Sequence, residues 1–154
     1  MNLMNIKIEN VVFLDIDGVL ATNDSSKMKK KFWYDDNAYP FDEKCVKVLN
    51  TIIKLTNCNI VLTSSWRLFY TLEEIGKIFD FNKVIKSPIA ITEELGDRNI
   101  EIEKFVSDNN ILKFVLFDDL PLTCYPDKFI RINFKTGLTE NNIITTINLF
   151  DLNE

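Results

Sequence analysis

Histidine is missing from this chain altogether: none occurs in 154 residues. That absence excludes Ser-His-Asp and Cys-His nucleophile systems, the histidine phosphatases, and every metal site that needs imidazole. A metal held by this chain is held by oxygen, which points to a hard cation such as Mg²⁺. Cysteine is scarce as well. Cys45, Cys58 and Cys124 are odd in number and lie far apart. Neither a disulfide framework nor a thiolate zinc site is suggested, and each reads as a small buried apolar residue in a reducing compartment. No run approaches the roughly 18 uncharged apolar residues of a membrane span. Met1 to Asn10 carry no basic start followed by an apolar segment, so no secretory signal is expected. The expected compartment is the cytoplasm, with no membrane partner.

What is present is ordinary for a globular chain: 46% hydrophobic and 27% charged residues, with a net charge of −5. The length suits one domain spanning 1–154. Short apolar runs alternate with amphipathic stretches, which predicts an α/β fold. Val11 to Leu14 is a continuous apolar run, as expected of a strand buried on both faces. Asn59 to Thr63 and Phe114 to Phe117 read the same way, with Val84-Ile85 and Phe129 to Ile132 as weaker strands. Helices are predicted over Asp42 to Thr56, Leu72 to Phe79, Arg98 to Asp108 and Thr139 to Leu152. The first carries Cys45, Val48, Leu49, Ile52, Ile53 and Leu55 on one face, and Thr139 is the expected N-cap of the last. Residues 18–40 form a long irregular stretch after the first strand, read as a loop or flap over the site.

The distinctive polar residues follow the apolar strands. Asp15-Ile16-Asp17-Gly18 ends the first, Thr63-Ser64-Ser65 the second, and Asp118-Asp119 a later one. In a parallel sheet the carboxyl ends of the strands share one edge, where ligands bind. These three clusters are therefore expected to converge, and each suits phosphoryl transfer. Asp15 can attack phosphorus and ligate a metal. Asp17 can protonate the leaving oxygen and later activate water. Gly18 permits the turn between them. Asp118 and Asp119 can complete the oxygen shell of Mg²⁺, with Asp17 also counted among the candidate ligands. The Thr63 and Ser64 hydroxyls can hold phosphate oxygens.

The stretch Phe13-Leu14-Asp15-Ile16-Asp17-Gly18-Val19-Leu20 resembles the first motif of the haloacid dehalogenase-like (HAD) superfamily. Thr63 resembles its second motif and Asp118-Asp119 its fourth, in the family's order. The resemblance implies a Rossmann-like three-layer sandwich around a parallel sheet. It also implies Mg²⁺ as cofactor, Asp15 as nucleophile and Asp17 as general acid and base. Thr63-Ser64-Ser65-Trp66-Arg67, Arg98 with Glu101-Ile102, and Thr136-Gly137-Leu138-Thr139 are similar to the small HAD domains associated with RNA-repair proteins. The superfamily's third motif supplies a cation near a helix start. Arg98 fits that role, with Lys86 second and Arg67 also able to face the site; as a solvated residue, Arg98 would instead pair with Glu101 or Glu94. Residues 19–40 are too few for a cap domain, and 68–97 offer at most a helix and a strand, so the enzyme is expected to be capless. An open site suits a large substrate such as a nucleic-acid end.

The expected function is a Mg²⁺-dependent phosphomonoesterase working through an aspartyl-phosphate on Asp15, acting on a nucleotide or a polynucleotide end. A receiver-like phosphoacceptor is one alternative, although receivers put paired acids on the first strand and the phosphorylated Asp on the third. A non-catalytic HAD-like binding module is the other. Lys27 to Tyr34 is basic and then aromatic. It reads first as a solvated hairpin whose rings pack on the domain, and second as a strip that meets nucleic-acid phosphates and bases. Trp66 is expected to pack beneath the Thr63 turn.

Overall fold

The computed structural model describes residues 8–26 and 39–152. The Lys27–Tyr34 segment lies outside them. The chain runs β1 (Val11–Leu14), α1 (Asn23–Ser26), α2 (Glu43–Thr56), β2 (Asn59–Leu62), α3 (Leu72–Phe81), β3 (Ala90–Ile91), α4 (Arg98–Asn109), β4 (Phe114–Asp118), β5 (Phe129–Arg131) and α5 (Asn141–Leu152). Five parallel strands make one sheet in the order β3-β2-β1-β4-β5. With helices on both faces, this is the α/β fold that the alternation predicts, in the Rossmann-like three-layer form that the resemblance implies.

The strands alternate as a doubly covered sheet must. Val12, Leu14, Ile60, Leu62, Val115 and Phe117 face a core shared with α2, α3 and α5. Val11, Phe13, Val61, Phe114 and Leu116 face a second core, where Ile102 and Phe105 of α4 dock. Phe13 meets Phe105 and Phe114 edge-on, each at 5.7 Å between ring centroids, pairs worth roughly 0.5–1.5 kcal/mol beyond their buried area. Among the described residues, no helix is long and apolar enough to cross a membrane.

Local chemistry sets the helix ends. Asp42 caps α2 by accepting from Lys44 N–H at 3.0 Å, and Asn57 stops it in the left-handed region at φ 52°. Thr71 and Glu74 form a reciprocal capping box on α3, which Gly76 does not break. Asp97 caps α4, and so fixes where Arg98 begins.

Three expectations need correction. The strand expected at Val84-Ile85 lies at Ala90–Ile91, because those two residues continue the ladder beside Val61 and Leu62. Val84 instead closes α3, its N–H bonding Phe79 O, and Ile85 is exposed. On α2 the buried face includes Val46, whereas Leu55 in the last turn is exposed. Finally, the Thr139 hydroxyl accepts no capping bond from the described residues. The Asn142 side chain accepts from the Thr139 N–H and hydroxyl instead, and α5 starts at Asn141.

Candidate active site

The register fixes the site before any side chain is considered. Leu14 pairs with Leu62 on one side and Phe117 on the other. The next residue on each strand is Asp15, Thr63 and Asp118, so parallel pairing brings them abreast at one edge. The ladder continues just past the strands, with Asp15 N–H bonding Phe117 O at 3.2 Å and Thr63 N–H bonding Leu14 O at 3.0 Å.

After Asp15 the chain folds back sharply. The Ile16 carbonyl accepts from Val19, Leu20 and Ala21, and Gly18 N–H reaches Ala21 O at 2.8 Å. Gly18 sits at φ +79°, and a Cβ there would lie 2.9 Å from the Asp119 carboxyl. Glycine thus serves the turn and also leaves room for Asp119. Gly137 does a related job at φ +65°: a Cβ there would come within 2.6 Å of Cys45 Sγ and Val19 O. The following Leu138 N–H bonds Val19 O, tying the turn after Asp17 to the segment ahead of α5.

Among the described residues, Asp15, Asp118 and Asp119 each offer a carboxylate oxygen within 4.8 Å of the others. Asp15 and Asp118 are buried. Arg98, the first residue of α4, bridges them, with Nη1 at 2.8 Å from Asp118 Oδ2 and 3.3 Å from Asp15 Oδ2. One guanidinium against two buried acids leaves excess negative charge. Burial, and next the Asp118 charge, push the Asp15 carboxyl up to about 8, against the pull of Arg98. Burial also raises Asp118, which Arg98 and the Leu120 N–H partly offset. Burial opposes the charge on Arg98, yet Asp15 and Asp118 hold its guanidinium above the ordinary arginine value. Three hard oxygen donors with unbalanced charge fit a divalent cation of the Mg²⁺ type.

Asp17 is exposed and stands outside that trio, so it is not brought together with the other candidate ligands. Its Oδ2 accepts from the indole Nε1–H of buried Trp66 at 3.0 Å. Asp17 and Asp119 line a cavity of about 240 Å³ together with Gly18, Thr22, Tyr39 and Phe134. Thr63 is buried, and among the described residues its hydroxyl has no hydrogen-bond partner, which leaves it free for a ligand oxygen. Ser64 is buried and accepts from Trp66 N–H at 3.2 Å, capping a single 3₁₀ turn over Ser65–Leu68.

The competing cations are engaged elsewhere. Lys86 Nζ bonds Asn57 Oδ1 and Cys58 O, at the opposite end of β2 from the site. Arg67 bonds Glu94, Thr92 and buried Glu101, the last at 2.7 Å. The acidic partners that a solvated Arg98 would have taken are thus held by Arg67.

A family model described as the HAD domain in Swiss Army Knife RNA repair proteins matches residues 11–143. The chain belongs to that family. The match spans β1 through the start of α5 and so takes in every residue of the site. No curated protein matches the chain. In this HAD domain no cap is built by the described residues: the stretch between β1 and α2 holds one short helix, and 68–97 holds α3 and β3. Sequence reasoning did not anticipate Tyr39, Thr22 and Phe134 as cavity walls, or Trp66 as a donor. The latter had a signal, since a buried indole N–H needs an acceptor.

Proposed function

We propose that this HAD domain is a Mg²⁺-dependent phosphomonoesterase that works through an aspartyl-phosphate on Asp15. The observation that carries the reading is the cluster, among the described residues, of buried Asp15 and Asp118 with half-buried Asp119, Arg98 bridging the first two. Asp15, Asp118 and Asp119 would hold the cation. Bound there, Mg²⁺ supplies the positive charge that lets a carboxylate approach an anionic phosphate.

The chain's own groups divide the remaining work. An Asp15 oxygen attacks phosphorus, and the bond from phosphorus to the ester oxygen breaks. Asp17, beside the cavity, gives its proton to the departing oxygen. Asp17, now ionised, takes a proton from water, which attacks the aspartyl-phosphate and releases inorganic phosphate and the Asp15 carboxylate. The Thr63 hydroxyl donates to a non-bridging oxygen. Arg98 holds Asp15 and Asp118 in place and balances their charge.

The substrate we put first is a nucleotide or a polynucleotide end. Among the described residues no cap is built over the site, which leaves room for a long leaving group, and the family's description concerns RNA repair. The lysines and rings of 27–34 would suit such a partner. Three free buried thiols fit a reducing compartment, and we assign the chain to the cytoplasm. The test is a Mg²⁺-dependent screen of nucleotides and of 5′- or 3′-phosphorylated RNA and DNA ends, run with Asp15→Asn beside the wild type. Turnover that Asp15→Asn abolishes supports the reading. An equally active Asp15→Asn variant would sink the mechanism, and a wild type that binds but never turns over would return the domain to a binding module.

A further inference from the structure

We propose that Trp66 is a positioning residue for Asp17, holding that carboxyl at the mouth of the cavity so that its free oxygen meets the leaving group. The proposal rests on the phosphatase reading above. Asp17 needs such a holder. It is exposed and lies beyond the end of β1, where the backbone has already turned away and makes an isolated bridge to Ala21. An exposed aspartate with nothing to fix it samples several rotamers, and a misplacement of about 1 Å can cost a factor on the order of a hundred in rate.

The indole supplies what is missing. Trp66 is 5% exposed and cannot swing, because rings fence it on several sides. Tyr39 packs edge-on at 4.6 Å, Tyr70 at 5.3 Å and Phe41 at 6.0 Å between centroids. Its backbone N–H is held by Ser64, which anchors it directly behind Thr63. The one polar atom of the ring therefore has a fixed direction, and it ends on Asp17 Oδ2 at 3.0 Å. A donor on Oδ2 occupies that oxygen and leaves Oδ1 to carry the proton. Trp66 thereby links the β2 turn, which presents Thr63, to the β1 turn, which presents Asp17. The two groups that meet opposite ends of the ester are held in one frame.

Trp66→Phe removes the N–H and keeps most of the ring. The readout is kcat/KM for two substrates that differ in how much they need an acid: p-nitrophenyl phosphate, whose leaving group departs readily, and an alkyl phosphate, whose leaving group must be protonated. A positioning role predicts a loss of a few-fold on the first and more than about tenfold on the second, since general acid catalysis is worth about 10²–10⁴. An equal loss on both substrates overturns the role of Trp66 and leaves the phosphatase intact. A wild type that hydrolyses neither overturns the phosphatase reading and this proposal with it. Should Trp66→Phe fail to fold, the wild-type indole N–H resonance serves instead. It is expected to be protected from exchange and to lose that protection in Asp17→Ala; an unchanged resonance overturns the proposal.

Discussion

At the scale of single residues, the site depends on a few positions where chemistry and space coincide. Gly18 is the clearest. Its φ of +79° is unfavourable for any residue with a Cβ, and the space that a Cβ would fill belongs to the Asp119 carboxyl. Gly18→Ala should cost on the order of 1 kcal/mol or more in stability and displace Asp119 from the other two acids. Weaker Mg²⁺ binding by calorimetry, with turnover falling in step, is the expected result. Unchanged binding would show that Asp119 takes no part in holding the ion. Thr63 behaves differently, because its buried hydroxyl without a described partner has a cost that a phosphate oxygen would relieve.

At the scale of elements, the arginines show how the secondary structure assigns roles that composition leaves open. Arg67 and Arg98 carry the same charge, and both lie near Glu101 in sequence or space. The 3₁₀ turn after β2 aims Arg67 across β3 at Glu94, Thr92 and Glu101, whereas the cap at Asp97 starts α4 so that Arg98 meets Asp15 and Asp118. Arg67→Met leaves Glu101 buried without its cation and should destabilise the fold by about 3 kcal/mol, read by denaturant unfolding, with kcat/KM changed only a few-fold. Arg98→Met should lower kcat/KM by about a hundredfold. The reverse pattern would exchange their roles. Strands β1, β2 and β4 were legible because each is a run of bulky apolar residues ending in a polar cluster, and helices α2 to α5 because their apolar residues recur at helical spacing, whereas α1, one turn long, lies in the stretch read as irregular. Strand β3 was not legible. Two residues cannot display a period, and Ala90–Ile91 become a strand only because Val61 and Leu62 lie alongside. The roles of Arg67 and Trp66 were hidden for a similar reason: their partners lie 25 to 49 residues away, and no local pattern encodes such contacts.

At the scale of the whole molecule, the fold gathers negative charge at one edge and leaves it under-compensated, so its stability should depend on both protons and metal. In the metal-free protein burial, and next the Asp118 charge, push the Asp15 carboxyl from the ordinary aspartate value of 3.8 up to about 8. Between those limits the folded state keeps a proton that the unfolded chain has released, so the contribution of Asp15 to stability is fullest below about pH 4 and is lost as pH climbs toward 8. A cation at the three carboxylates would replace that proton. Its affinity should therefore improve over the same interval, and its stabilisation grows with the ratio of ion concentration to Kd. Thermal melts with and without Mg²⁺ should show a larger rise in Tm near pH 8 than at about pH 5.5, and Asp118→Asn should remove most of the difference. An equal rise at both values, or one that survives Asp118→Asn, would mean that the ion binds elsewhere. The three acids would then be a charged patch closed by Arg98 alone, and the edge of the sheet would lack the charge balance that attack by Asp15 requires.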